Sequence, residues 1–250
     1  MKAMVLAAGL GTRLRPLTND RPKALVEVGG RTLLEITLRR LASFGIRDVI
    51  VNVHHFADLV VDYLRKNHNF GLRLEISRED DSLLDTGGGL KKAAWFFLQD
   101  GPQSDQPFLL HNVDVISTID LRRMLQFHRE HKALATLAVQ KRKTSRQLLF
   151  DEQSQLCGRQ TCDNAPELVR PVRQTTALAF SGIHWISPQL LSLISEEGVF
   201  SIVTTYLRLA SEGQKVLAFQ ADEYYWRDLG KPENIVQVAA DLKSGELATL

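Results

Sequence analysis

The sequence predicts an α/β protein, a three-layer α/β/α sandwich around a mainly parallel sheet, and three observations predict it. Through the first half, short β-branched runs alternate with segments whose apolar residues recur at helical spacing. The runs are apolar on consecutive positions, as in Val49-Ile50-Val51-Asn52-Val53, the pattern of strands buried on both faces of a parallel sheet. A glycine-rich turn, Gly9-Leu10-Gly11-Thr12-Arg13, follows the first run directly, where open α/β sheets gather their ligands.

The elements follow in order. Ala3 to Ala8 reads as a buried strand running into that turn. Thr32-Leu33-Leu34-Glu35 fits a capping box, and leucines 34, 38 and 41 give the helix an apolar stripe until Gly45 stops it. Asp48 to Val53 is a strand, Ala57 to Lys66 a helix, Leu72 to Ile76 a strand, Gly88 to Leu98 a helix and Pro107 to Leu110 a strand. In the second half, Ala133 to Val139, Gln147 to Phe150, Gln155 to Arg159 and Thr175 to Trp185 read as strands, which predicts a β-rich insertion. Pro188 to Ile194 and Ser201 to Ser211 read as helices, Lys215 to Gln220 as a strand, and Pro232 to Lys243 as a closing helix with proline in its first turn. The alternation predicts a Rossmann-like sheet within a single domain over residues 1–250, with a nucleotide-binding half (1–115) and a second half (116–250).

Composition narrows the function classes. With 250 residues, 44% hydrophobic and 24% charged, the chain can bury one sizeable core. Its 31 Lys and Arg nearly balance 29 Asp and Glu, so the charge predicts no nucleic-acid partner. The two cysteines, Cys157 and Cys162, have no second pair, which predicts free thiols in a reducing compartment rather than a disulfide framework. The apolar run from Ala3 to Ala8 is too short for a signal-peptide core and no run reaches about 18 apolar residues, so a cytoplasmic protein without a membrane partner is expected. A homo-oligomer is allowed by the sequence and not specified by it.

Gly9 and Gly11 let backbone N–H groups converge into an anion-binding nest, and Arg13 and Arg15 add fork-shaped donors. A P-loop is absent, since no Gly-Lys-Ser/Thr follows, and Leu14 stands where a dinucleotide fingerprint has its third glycine. Taken alone, the loop also reads as a tight strand-to-helix turn with exposed arginines.

The longer string, Leu6-Ala7-Ala8-Gly9-Leu10-Gly11-Thr12-Arg13-Leu14-Arg15-Pro16-Leu17-Thr18 followed by Arg21-Pro22-Lys23-Ala24-Leu25, closely resembles the signature of the nucleoside-diphosphate-sugar pyrophosphorylases, the sugar-1-phosphate nucleotidylyltransferases. The resemblance implies that Leu6, Ala7, Ala8, Gly9, Gly11 and Thr12 wrap a nucleoside triphosphate. It also implies catalytic roles for Arg13 on the leaving pyrophosphate and for Lys23 near the transferred phosphate. Asn112-Val113-Asp114 resembles the family's metal-binding segment, with Val113 where glycine is usual, and Trp226-Arg227-Asp228-Leu229-Gly230-Lys231-Pro232 resembles its second aspartate motif. Asp114 and Asp228 are thereby expected to hold Mg²⁺, although each aspartate alone also reads as a cap or turn residue.

Asp85-Thr86-Gly87-Gly88-Gly89-Leu90 corresponds to the segment that meets nucleobase and ribose, through Asp85, Thr86 and Gly87, and read locally it is equally a glycine-rich helix start. Its form looks nearest to short uridylyltransferases acting on N-acetylmuramic acid 1-phosphate. Guanylyltransferases for mannose or heptose 1-phosphates are a second expectation. Phe180-Ser181-Gly182-Ile183 resembles the strand end that lies against the sugar, so Asn112 and Gly182 are expected at the sugar, while Gly182 also reads as a bulge. The Glu-Lys-Pro segment of many glucose-type members is missing, with no lysine between Lys143 and Lys215, leaving Arg170 and Arg173 as substitutes. Val113 and this missing lysine also motivate a rival expectation, a nucleotide-sugar sensor without turnover, and a cytidylyltransferase for phosphocholine is a further rival. His54, His55 and His111 are expected to pack locally or to meet solvent rather than to catalyse. Length predicts no appended acetyltransferase or β-helix domain.

Overall fold

A computed structural model of the chain describes residues 1–99, 105–162 and 164–244. Its strands are β1 (Lys2–Leu6), β2 (Glu27–Val28), β3 (Arg31–Thr32), β4 (Asp48–Val53), β5 (Arg73–Arg78), β6 (Phe108–Asn112), β7 (Val115–Ser117), β8 (Ala135–Gln140), β9 (Arg146–Phe150), β10 (Leu156–Thr161), β11 (Glu167–Leu168), β12 (Thr176–Ile186), β13 (Val216–Gln220) and β14 (Trp226–Asp228). Its helices are α1 (Leu33–Ser43), α2 (Ala57–Lys66), α3 (Asp85–Lys92), α4 (Ala94–Leu98), α5 (Leu121–Glu130), α6 (Gln189–Ser192), α7 (Ile202–Ser211) and α8 (Pro232–Ser244). The described residues fall into two compact units, one from Met1–Asp85, His111–Ile119 and the stretch from Tyr224 onward, the other from Thr86–Leu110 and Asp120–Glu223.

The first unit is the predicted parallel α/β structure. β1 pairs with β4 in parallel from Lys2↔Asp48 to Leu6↔Asn52, and β4 pairs with β5 in parallel from Asp48↔Arg73 to Val53↔Arg78. Parallel neighbours need crossover connections, and α1 and α2 supply them. α1 starts where Thr32 accepts the Glu35 N–H (3.1 Å), half of the predicted capping box. Glu35 does not reach back; its carboxylate takes Arg39 (2.7 Å) and the Tyr63 hydroxyl (3.0 Å). The helix ends as Gly45 predicts. Gly45, at φ +82°, donates to Ala42 O, and Ile46 donates to Leu41 O, a Schellman closure sealed by the buried Leu41 and Ile46. β4 is buried on both faces, as its apolar run requires.

The second unit carries the β-rich insertion. β9, β10 and β11 pair antiparallel in sequence, and β12 pairs antiparallel with both β9 and β8. β13 adds to β8 in parallel. The predicted helix over Gly88–Leu98 instead begins at Asp85 and breaks at Ala93 into α3 and α4. α5, unassigned in the sequence reading, is capped by Asp120, which accepts the N–H groups of Arg122 and Arg123, and buries Leu121, Met124, Leu125 and His128. Among the described residues, no helix is long and apolar enough to cross a membrane.

Candidate active site

The site starts at the carboxyl end of β1. Gly11 sits in the left-handed region (φ +65°) and opens a single 3-10 turn, Thr12–Leu14, closed by Leu14 N–H to Gly11 O (2.8 Å). Space demands glycine there as much as backbone angle does: a Cβ would lie 3.0 Å from Thr18 Cγ2 and 3.2 Å from Lys23 Cβ. Leu14 is fully buried and anchors the loop, which explains an apolar residue where a dinucleotide loop has glycine. Gly9, Thr12, Arg13 and Arg15 face solvent, with nothing near the place of a Gly9 Cβ, whereas Ala7 and Ala8 are buried.

Lys23, in the 3-10 turn Lys23–Leu25, is only 8% exposed, a state lysine adopts when it is paired. Its partner is Asp114, whose Oδ2 accepts from Lys23 Nζ. Asp114 lies on the turn between β6 and β7. Val113, where glycine was the expected residue, keeps an ordinary negative φ, buries its side chain to 4% and donates its N–H to Leu6 O (3.1 Å). The valine therefore fits without distorting the segment.

β14 brings in the second aspartate by pairing antiparallel with β7, Asp228 opposite Val115, and Leu229 N–H donates to Asp114 O (2.8 Å). Asp228 Oδ1 accepts the Gly230 N–H, and Asn234 Nδ2 donates to Asp228 O (2.6 Å). A Cβ on Gly230 would lie 2.6 Å from Asp228 Oδ1 and 2.7 Å from Arg13 Nη2, so the Arg13 guanidinium and the Asp228 carboxylate flank the same glycine. The first unit thus gathers Leu6 to Arg13, Lys23, Asp114 and Asp228, residues far apart in the chain.

Two half-buried carboxylates joined through one backbone hydrogen bond suit a hard divalent cation. Mg²⁺ usually takes one or two carboxylates and completes its shell with phosphate oxygens and water. Among the described residues no group of three or more His, Cys, Asp or Glu could hold a metal. Asn112 also lies in this unit, its Oδ1 buried without a hydrogen-bond partner among the described residues.

The remaining predicted residues are placed as follows. Asp85, in the first unit, has φ +58° and opens α3. In the second unit, Thr86 Oγ1 accepts the Ile202 N–H (3.0 Å), and the N–H groups of Gly87 and Gly88 donate to Phe200 O (2.9 and 3.3 Å). Gly87 has to be glycine for packing, because a Cβ would collide with the Phe200 ring. Gly182, at φ +71°, sits where the β12–β8 register slips between Phe180 and His184, so the bulge reading of this glycine is the observed one. Arg170 is taken by Asp151 and by Leu156 O, and Arg173 is exposed.

Of the three histidines, His111 is buried, His54 half-buried and His55 exposed, within the expected packing or solvent contact. His54 Nδ1 meets Glu79 O (2.6 Å), and burial together with the nearby Arg40 charge pushes His111 down to about 4. Sequence reasoning missed the buried Asn52 and Glu79 behind the loop. Their one signal was a polar residue inside the apolar β4 run.

The fold has counterparts among known proteins. The family model described as Nucleotidyl transferase matches residues 2–245. N-acetylmuramate alpha-1-phosphate uridylyltransferase of Caulobacter vibrioides is 36% identical over 98% of this chain and 97% of its own length. Mannose-1-phosphate guanyltransferase of Aspergillus fumigatus is 31% identical over 94% of this chain, and the match spans only 62% of that protein. Among solved structures, HddC from Yersinia pseudotuberculosis complexed with GMP-PN shares the fold at 20% identity, TM-score 0.74, covering 96% of this chain and 99% of that one. A putative glucose-1-phosphate thymidylyltransferase from Bacillus anthracis, also 20% identical, gives TM-score 0.76 over 97% and 94%.

Proposed function

Since the chain belongs to the nucleotidyl transferase family, we propose that it joins a nucleoside triphosphate, UTP by preference, to a sugar 1-phosphate, giving a nucleotide sugar and pyrophosphate. The sugar we propose is N-acetylmuramate in its α-1-phosphate form, the substrate in the name of a relative that matches over 98% of this chain and 97% of its own length. The observation that carries the reading is the gathering of Lys23, Asp114, Arg13 and Asp228 beside the glycine loop.

A phosphate oxygen of the sugar 1-phosphate attacks the α-phosphorus in line as the bond to the β-phosphate breaks, so pyrophosphate leaves with the bonding electron pair. The nucleophile is already an anion, so neither a general base nor a covalent enzyme intermediate is needed; positioning and charge relief remain. The loop from Leu6 to Thr12 wraps the triphosphate and offers it N–H groups beyond that of Ala7, which Asn52 already takes, and Arg13, exposed at the loop, steadies the leaving group. Lys23 neutralises the reacting phosphates from its place beside Asp114. Asp114 and Asp228 are the residues that would hold Mg²⁺, which when bound offsets the charge of the triphosphate and of the departing pyrophosphate. Asp85, Thr86 and Gly87 would meet nucleobase and ribose, and Asn112 and Gly182 the sugar.

A GTP-dependent reading has its own support, because guanyltransferases for mannose 1-phosphate are 29–31% identical to this chain. A matrix of triphosphates against sugar 1-phosphates, read by pyrophosphate release, separates the two. Release that is highest with UTP and N-acetylmuramate 1-phosphate supports the uridylyl reading, and release highest with GTP and mannose 1-phosphate replaces it.

A further inference from the structure

Behind the glycine loop lies a buried polar chain that no step above uses. Asn52 interrupts the apolar run of β4, is 2% exposed, and lies opposite Leu6 in the β1–β4 register. Its Oδ1 accepts the Ala7 N–H (2.7 Å), and its Nδ2 donates to Glu79 Oε1 (2.7 Å). Glu79, 1% exposed, follows the end of β5; its Oε2 accepts the Leu84 N–H (2.8 Å) and its own N–H donates to Val53 O (2.8 Å). The Leu6–Ala7 peptide is therefore fixed at both edges, its N–H by Asn52 and its carbonyl by the N–H of Val113, the neighbour of Asp114.

A carboxyl this deeply buried is costly unless its oxygens are met by donors, and here they are met by Asn52 Nδ2 and the Leu84 N–H. Through Asn52 the chain reaches Ala7 in the loop that begins at Leu6. Through Leu84 it reaches the stretch immediately before Asp85. We propose that Asn52 and Glu79 are positioning residues for the triphosphate, setting the register between the glycine loop and the segment entering Asp85. The inference rests on the functional reading above and deepens it. Asn52 and Glu79 touch no substrate; they act by holding Ala7 and Leu84 where they are.

The donor pattern supplies its own test. Glu79→Gln leaves an amide with one acceptor facing two donors, and Asn52→Asp sets two carboxylates against each other. The double variant Asn52→Asp/Glu79→Gln restores every bond with the roles exchanged: residue 52 accepts from Ala7 and from the residue 79 amide, whose oxygen accepts from Leu84. The measurement is KM for the triphosphate the wild type turns over, UTP or GTP, beside KM for the sugar 1-phosphate, kcat and the unfolding midpoint. Amide exchange at Ala7 and Leu84 is followed in parallel.

Each single variant is expected to raise the triphosphate KM by about tenfold or more with the sugar phosphate KM nearly unchanged, because a mispaired buried group costs about a factor of ten or more. Each single variant also speeds exchange at Ala7 and Leu84, and the double variant recovers most of both losses. Single variants that keep the triphosphate KM, or a double variant no better than its parents, overturn the inference. So do losses that follow the unfolding midpoint alone and fall equally on both substrates. A wild type that releases no pyrophosphate with any pair overturns the functional reading itself, whereas an active wild type with unaffected variants overturns this inference only.

Discussion

Lys23 Nζ is ion-paired with Asp114 Oδ2, a cation and a carboxylate separated by ninety-one positions of chain and both largely withdrawn from solvent. Neither group is spare. In the proposed reaction the lysine serves the phosphates and the aspartate a metal, and each offsets the burial of the other.

Lys23→Met keeps the aliphatic stem and removes the charge. We expect pyrophosphate release to fall about 10²–10³-fold, the loss found when one preorganised electrostatic donor is removed. Stability should fall by only about 1–3 kcal/mol, since Asp114 keeps some access to water. Steady-state turnover and denaturant unfolding of the same sample check both. Turnover within a factor of a few of wild type would remove Lys23 from the chemistry.

Gly230 is flanked by the side chains of Asp228 and Arg13, so Gly230→Ala should displace a functional group without unfolding the chain. The nearest atoms are the ends of those two side chains, which can move. Turnover should drop at least about tenfold, while Arg13→Ala and Asp228→Asn should each cost several orders of magnitude in folded protein. Thermal unfolding separates the cases: a Gly230→Ala protein that melts far below wild type has lost its fold and not its site.

His128 makes stability depend on pH. It lies buried between the Thr136 (2.9 Å) and Ser187 (3.0 Å) hydroxyls, and burial, with the Arg129 charge, pushes it down to about 4 from an ordinary 6.5. Between those values the unfolded chain binds the proton and the folded chain does not. Stability should therefore be complete above about pH 6.5 and be lost toward pH 4, at up to about 1.4 kcal/mol per pH unit from this one residue. His128→Gln should flatten the slope of unfolding free energy against pH. An unchanged slope would show that His128 is not the group responsible.

Gly87 is needed for packing against Phe200, independent of any ligand. Gly87→Ala should destabilise the protein by about 1–3 kcal/mol through overpacking, and Phe200→Leu in the same chain should recover part of it, because the Phe200 ring is the main obstacle and its carbonyl remains at 2.9 Å. A double variant no more stable than Gly87→Ala would refute that account of the glycine.

Much of this was legible in the sequence where the signal is local. The β4 run, the Thr32 cap and the Gly45 stop each act within a few residues, and each is found where it was expected. β7 and β14 were not legible, because three residues each carry no period and their pairing joins segments more than a hundred positions apart. α5 was legible in principle, since Leu121, Met124, Leu125 and His128 fall at helical spacing behind an aspartate cap. Nothing local says what the valine at 113 does in place of the usual glycine, and only the fold shows that its side chain fills buried space at an ordinary φ. The Asn52–Glu79 chain was hidden for a different reason. A polar residue in a buried strand announces that it has partners but not which.

The central claim is nucleotidyl transfer to a sugar 1-phosphate at a site built from Lys23, Asp114, Arg13 and Asp228. The most direct measurement is pyrophosphate release by wild type and Asp228→Asn across UTP, GTP, CTP, ATP and dTTP, each with N-acetylmuramate, mannose and glucose 1-phosphates and Mg²⁺. Wild type should release pyrophosphate with one or a few pairs, UTP with N-acetylmuramate 1-phosphate foremost, and a folded Asp228→Asn protein should lose that release. Triphosphate binding without release from any pair, or near-normal release by Asp228→Asn, would contradict the claim.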